Sequence, residues 1–282
     1  MSWQVVARKD FRDAVRSKLF WVLSGLFLLL VGLLTFSYVS FDLISGDNPS
    51  TLGLVFFIAS SLGLFVSLTA IIICYKAVAG ERESGSIKIL LSLPHSRRDV
   101  ILGKVIGRAG VLAIPVVSAL ALGALIGMVS LGDVELVGTV AFMLVGLLFV
   151  LSYVGIAVGL SALTGSTGRA AALGIGYFIA FELFWDAVVF GLVFIDAGFT
   201  LPTVADFPSW AFVLSQVQPS AAFGTALVAA IPDAPAAAFG AGPAAEQLSA
   251  FYATPWLGVL SLLFWAVIPP ALGYLRFQSA DL

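Results

Sequence analysis

Six stretches of this chain are each long and apolar enough to cross a lipid bilayer, and no other feature narrows its possible folds so far. They run from about Phe20 to Phe41, Leu52 to Tyr75, Ala109 to Leu131, Leu136 to Leu163, Ala170 to Ile195 and Trp256 to Leu275. All are as long as the ~18 to 20 residues a helix needs to traverse the hydrocarbon core, or longer. A helix also satisfies its own backbone hydrogen bonds where no water is available. With 60% hydrophobic and 11% charged residues and a mean hydropathy of +1.08, the chain far exceeds the apolar share of roughly half found in soluble domains. The expected fold is all-α: a polytopic membrane protein with six transmembrane helices.

Orientation follows from the basic residues, which favour the cytoplasmic side. Arg8, Lys9, Arg12, Arg16 and Lys18 precede the first span. Lys76, Arg82, Lys88, Arg97, Arg98, Lys104 and Arg108 lie between the second and third, Arg169 between the fourth and fifth, and Arg276 at the exit of the sixth. These are all 14 Lys and Arg. The complementary loops hold Asp42, Asp47, Asp133, Glu135, Asp196, Asp206, Asp233 and Glu246 and no base. Both termini are therefore expected in the cytoplasm, and the formal net charge of −2 conceals a strong asymmetry.

The expected organisation is a cytoplasmic amphipathic helix at 1–19, membrane helices at 20–75, a cytoplasmic loop at 76–108, membrane helices at 109–195, an extracytoplasmic region at 196–255, and a last membrane helix with a short tail at 256–282. The stretch from Trp210 to Ile231 is long enough for a seventh span, but Ser215, Gln216, Gln218, Pro219 and Ser220 interrupt it. Inserting it would also move Arg276 outside and bring Asp233 and Glu246 inside. Residues 196–255 are read instead as an external region with short helices dipping into the interface and a partly irregular Ala/Pro/Gly-rich segment from Pro232 to Pro243. The first nineteen residues lack the short positive head and small-residue cleavage site of a secretory signal. Trp3, Ala7, Phe11, Val15 and Leu19 recur at i+4, with the charged residues elsewhere around the helix, a pattern that suits a segment lying on the membrane surface.

The loop from Lys76 to Arg108 is rich in both signs of charge. It reads Glu81-Arg82-Glu83-Ser84-Gly85-Ser86, an apolar piece Ile87 to Leu93, Pro94-His95-Ser96-Arg97-Arg98-Asp99, then Gly103-Lys104. Ile87, Leu90 and Leu91 share a helical face suited to the membrane or a neighbouring helix. Glu81, Glu83, Arg97 and Arg98 remain available to a soluble partner. By charge alone the same loop could be a solvated positive-inside connection and nothing more.

The run from Tyr75 to Gly107, YKAVAGERESGSIKILLSLPHSRRDVILGKVIG, resembles the corresponding loop of type 2 ATP-binding-cassette (ABC) exporter permeases, with its ERE-x-G-[ST] block, leucine-rich turn, LP-x-SR and GK pair. The opening VARKDFRDAVRSKLFW is also similar to that family's start. Within the family the nearest resemblance is to permeases serving nitrous oxide reductase maturation. The resemblance covers essentially the whole chain and implies a half-transporter that pairs with a second permease copy, as a homodimer or with a related chain as a heterodimer, binds two ABC ATPase subunits and exports its substrate. It further implies that Glu81, Arg82, Glu83, Ser84, Gly85 and Ser86, with Pro94, Arg97 and Arg98 on the return, form or flank the contact that couples to the ATPase. His95 departs from the small or aliphatic residue expected after the proline. A partner at 196–255 is a further possibility on the outer side; nucleic acid is not expected.

The chain is not expected to be an enzyme. Gly103-Lys104 is followed by Val105 and has Arg98 where the first glycine of a phosphate loop belongs, so G-x-x-x-x-G-K-[ST] is not formed. ATP and Mg are expected on the partner ATPase, and no cofactor on this chain. One cysteine, Cys74, and one histidine, His95, exclude an internal disulfide, a CxxC site and a multi-histidine metal centre. Soft ligands for copper are limited to Cys74 and three scattered methionines. No metal site is expected.

Glu182 and Asp186 fall inside the fifth apolar stretch, where a charge at the bilayer centre costs about 2.5 to 3.5 kcal/mol on insertion scales. An unbroken helix would put them on one face at i, i+4. They are the candidate translocation-path residues, with a structural role at a water-filled vestibule as the alternative. A stand-alone proton-coupled carrier using this pair, or a non-transporting membrane anchor, are the rival functions. An aspartyl hydrolase would need acids converging from different elements. Three G-x-x-x-G pairs, Gly103/Gly107, Gly123/Gly127 and Gly155/Gly159, are weak packing signals in so glycine-rich a chain.

Overall fold

A computed structural model of the chain describes residues 3–41, 49–92, 96–133, 135–202, 208–231 and 254–280. Those residues form helices and connecting turns, with no strand among them. In chain order the helices are α1 (Trp3–Val15), α2 (Lys18–Ser40), α3 (Thr51–Cys74), α4 (Ala79–Glu83), α5 (Ser86–Ser92), α6 (Arg97–Leu131), α7 (Leu136–Ala162), α8 (Thr167–Phe178), α9 (Trp185–Asp196), α10 (Ser209–Ser215), α11 (Pro219–Ala230) and α12 (Trp256–Gln278). A π-helical turn, Ile179–Leu183, joins α8 to α9. Each of the six expected apolar stretches lies in long helical structure. Five helices are continuous spans by length and hydropathy, and two bent pairs, Thr167–Leu183 with Trp185–Asp196 and Ser209–Ser215 with Pro219–Ala230, bring the range to between five and seven.

Local sequence sets the helix ends. Ser17, Ser50 and Ser96 accept the first free amides of α2, α3 and α6, and Ser96 with Asp99 makes a capping box. Gly132 ends α6 at φ 70°, a left-handed conformation that glycine adopts without steric cost. α6 is one 35-residue rod, about 52 Å long at the standard rise. It therefore outreaches a ~30 Å hydrocarbon core, and the last part of the expected cytoplasmic loop is simply its first turns.

α7 is the central helix, most of its residues buried against α12, α6, α3 and α11. Its seam with α12 depends on missing side chains. Pro269 and Pro270 have no N–H to offer the carbonyls four residues back. These are the oxygens of Trp265 and Ala266, and both face Gly155, where a Cβ would stand 2.9 Å from each. A Cβ on Gly159 would stand 2.5 Å from the Pro269 carbonyl, and one on Gly273 2.8 Å from the Gly159 oxygen. Gly123 and Gly127 likewise admit Val31 and Leu54. All three G-x-x-x-G pairs, treated as weak signals in sequence, lie at close helix crossings within the chain.

α1 does not rest on the membrane surface alone. It packs along the N-terminal end of α6, where Gly103 and Gly107 leave room: Cβ atoms there would stand 2.8 Å from the Trp3 carbonyl and 2.9 Å from the Ala7 carbonyl. The buried face includes Val6, Ala7 and Asp10. One of the charges that the i+4 stripe left on the outer side thus points inward.

Candidate functional site

Asp10 is the first member of a buried ion cluster. Its carboxylate lies 2.7 Å from Arg108 Nε and 3.6 Å from Lys104 Nζ, and Lys104, 2% exposed, also donates to Glu81 Oε1 at 2.8 Å. Arg108 further donates to the carbonyl of Ile73, at the end of α3, at 2.9 Å. Two acids and two bases balance in charge. At low dielectric such groups persist only when so paired. The cluster ties α1, α3, α4 and α6 together at one level.

The same level holds the segment that the sequence resemblance leads one to expect at the ATPase contact. Ser161, fully buried on α7, accepts from the amides of Val78 and Ala79 at 3.1 and 3.0 Å and donates to the Tyr75 carbonyl at 2.7 Å. One hydroxyl thereby fixes the turn between α3 and α4. Arg82 donates to the Ala162 carbonyl at 3.3 Å, and Glu83 accepts from the Thr167 amide at 2.9 Å, at the start of α8. Ser84 and Ser86 bond one another at 3.0 Å, each also reaching the Glu81 carbonyl at 3.4 Å, around Gly85 at φ 74°. Arg97 donates to the carbonyls of Phe277, Gln278 and Ala280 at 2.6 to 3.0 Å, capping the end of α12.

Of the four charges expected to be free for a soluble partner, Glu81 and Arg97 are therefore taken up inside the chain. Glu83 is exposed but bonded, and Arg98 is exposed. Ile87 is buried, in agreement with a packed face. Pro94 and His95 lie outside the described residues, as do Asp42, Asp47, Asp206 and residues 232–253 of the expected external region. Asp10, Lys104, Arg108 and Ser161 were not singled out by sequence reasoning as site residues. Only the Lys-Arg pair at i, i+4 in an otherwise apolar helix could have drawn attention.

The two membrane acids differ in their surroundings. The π turn and the 46° bend interrupt the regular helix between them. Glu182 turns inward: Tyr153 of α7 donates to its Oε1, and Ser220 at the start of α11 donates to its Oε2 at 2.9 Å. Asp186 is exposed, with no hydrogen bond or ion pair among the described residues. Ser220 also contacts Gly63, midway along α3, which puts the cluster near the middle of the bundle.

Ser220 belongs to a sharply bent helical hairpin, α10 and α11 meeting at 110°. The polar residues that argued against a seventh span form its tip. Irregular backbone at such depth needs internal partners, and it has them. Trp185 donates to the Leu214 carbonyl at 2.9 Å, Ser261 to Gln216 at 2.5 Å and Trp265 to Val217 at 2.8 Å. The rings of Tyr177, Phe181 and Trp185 stack in series beside Trp265. Phe223 of α11 stacks on Phe149 of α7. The two short helices of this stretch are packed into the bundle. No group of three His, Cys, Asp or Glu able to hold a metal occurs among the described residues.

The chain is 27% identical to the "Probable ABC transporter permease protein NosY" of Pseudomonas aeruginosa over 279 residues, covering 97% of this chain and 96% of that one. The protein of the same name from Stutzerimonas stutzeri is 28% identical over 200 residues, 68% of this chain and 71% of that one. Residues 4–282 match the family model of ABC-2 family transporter proteins. With nearly its whole length matched and a bundle of five to seven apolar membrane-length helices, this multi-pass cell-membrane protein belongs to the ABC-2 transporter family.

Proposed function

We propose that the chain is the permease subunit of an ATP-driven exporter, with six full spans, a re-entrant hairpin and both termini in the cytoplasm. Two copies line the path, and a separate ATPase supplies the energy. The observation that carries this reading, beyond family membership, is the continuous bonded route from the coupling segment to the membrane interior. Glu81 and Glu83 on α4 hold α6 through Lys104 and α8 through Thr167. α8 leads into the π turn that presents Glu182 to Tyr153 and Ser220. A displacement of α4 by ATPase closure is thereby delivered both to the long rod α6 and to the inner half of the bent span. Contiguity of this kind supports coupling.

In this reading Glu182 lines the path together with the hairpin tip, and Asp186 faces the outer vestibule. The hydrophobic walls suit an amphiphilic cargo. Purification of the tagged chain in mild detergent is expected to recover a nucleotide-hydrolysing subunit at one to one, and Glu83→Ala with Arg98→Ala to weaken that recovery. Transport by the purified chain in vesicles without any ATPase would overturn the proposal.

A further inference from the structure

Below α12 and α8, three guanidinium groups converge on one polar pocket of ≈ 390 Å³, within the range of about 300 to 1,000 Å³ typical of ligand sites. Arg82 comes from α4, Arg169 from the first turn of α8 and Arg276 from the last turn of α12; Thr164 and Ser279 add hydroxyls to the lining. Arg82 is fixed there by its bond to the Ala162 carbonyl and by its guanidinium lying over Phe277, 5.9 Å from the ring centre. It stands in the repulsive field of Arg276 and Arg97. All three ion pairs among the described residues belong to the Asp10 cluster, so none of these arginines has a carboxylate partner there. Glu83, on the same short helix as Arg82, is turned to the Thr167 amide. Like charges gathered without a counterion are held at a cost that a bound anion removes.

The apolar surroundings say what kind of anion. Ile268, Leu272 and Leu275 are exposed on α12 and lie on the stripe that ends in Arg276, and Leu163 is exposed at the pocket's other side. An arginine pocket at the end of an exposed apolar stripe matches a molecule with a phosphate head and hydrocarbon chains. We infer that this pocket binds the phosphate headgroup of an anionic phospholipid of the cytoplasmic leaflet, with the acyl chains lying along Leu272 and Leu275. The lipid then touches α4, α8 and α12 at once, where it braces the coupling segment against the inner half of the bent span. The leaflet assignment rests on the reading that places the basic face in the cytoplasm; binding itself does not.

The test uses the full chain in nanodiscs containing phosphatidylglycerol and phosphatidylcholine, each supplied with a photoactivatable acyl chain, and maps the crosslinks. Phosphatidylglycerol is expected to crosslink preferentially at Leu272 and Leu275. Arg169→Gln with Arg276→Gln, both at exposed side chains, is expected to lower that capture by roughly tenfold or more, while Arg8→Gln with Arg12→Gln leaves it unchanged. Equal capture by the pocket variant and the wild type would overturn the inference. So would loss of the lipid signal on adding inorganic phosphate, which would make the ligand a free anion. Loss of an associated ATPase from the pocket variant with lipid capture intact would make it a protein contact. Asp281 comes just after the lining residues in sequence and is replaced by Asn in parallel; lipid selectivity seen only in Asp281→Asn would mean that the chain's own carboxylate fills the pocket. The assay requires neither ATPase nor sidedness, so its failure leaves the proposed function standing.

Discussion

Glu182 and Lys104 are the two side chains whose surroundings most constrain what the protein can tolerate. Glu182→Gln keeps an acceptor for one of the two hydroxyls, Tyr153 or Ser220, offers an N–H to the other, which can turn to accept it, and removes the charge, so assembly should persist. Transport, measured in vesicles with the energised complex, should fall at least tenfold if the carboxylate lines the path. Asp186→Asn, at an exposed position, should have a smaller effect. Lys104→Met leaves Glu81 without its cation and Asp10 with Arg108 alone. Breaking a buried pair from one side costs about 3 to 5 kcal/mol, and the partial exposure of Glu81 places this case at the low end. Thermal unfolding in detergent should show the loss, and a cycle with Glu81→Gln should show the two changes to be non-additive. None of these partnerships was legible in the sequence. Tyr153 and Ser220 stand 29 and 38 positions from Glu182, and Asp10 and Lys104 belong to helices whose docking is decided by two absent side chains, Gly103 and Gly107.

Among the elements, the α7–α12 seam and the bent α10–α11 hairpin carry the sharpest expectations. Gly159→Leu forces a side chain into the Pro269 backbone. Overpacking of this kind costs about 1 to 3 kcal/mol or more, and here the obstacle is main chain that cannot rotate aside. The folded fraction in detergent should drop accordingly, whereas Gly25→Leu, where nothing lies within 4 Å, should be neutral. Trp185→Phe with Trp265→Phe removes the donors to Leu214 and Val217 while keeping most of the ring packing. Each lost bond is worth about 1 kcal/mol, and hydrogen exchange should quicken at residues 214–218 first. The long apolar helices were legible because hydropathy is a local property. The hairpin was only half legible: its polar residues marked the interruption of the apolar stretch, where the helix bends by 110°, but not that Trp185, Ser261 and Trp265 would satisfy that tip inside the bundle.

For the molecule as a whole, the one-sided distribution of Lys and Arg orders everything else. The ion cluster, the coupling segment, the arginine pocket and the Arg97 cap of α12 all lie at the end of the bundle that carries the bases. A single cysteine at Ser84, in a background with Cys74 replaced by Ala, should react with an impermeant thiol reagent in inside-out vesicles and not in intact cells. The opposite result would invert the orientation and remove the basis for coupling at α4. The π turn has a consequence at this scale as well. A wide turn contains one residue more than regular winding needs, so deleting one residue between Phe178 and Phe184 would return this stretch to regular winding and remove the wide turn that presents Glu182 to Tyr153 and Ser220. A homologue shorter by that single position would lose this presentation even with its acid kept, which makes the surplus residue a useful marker beside the glutamate for relatives that share this interior.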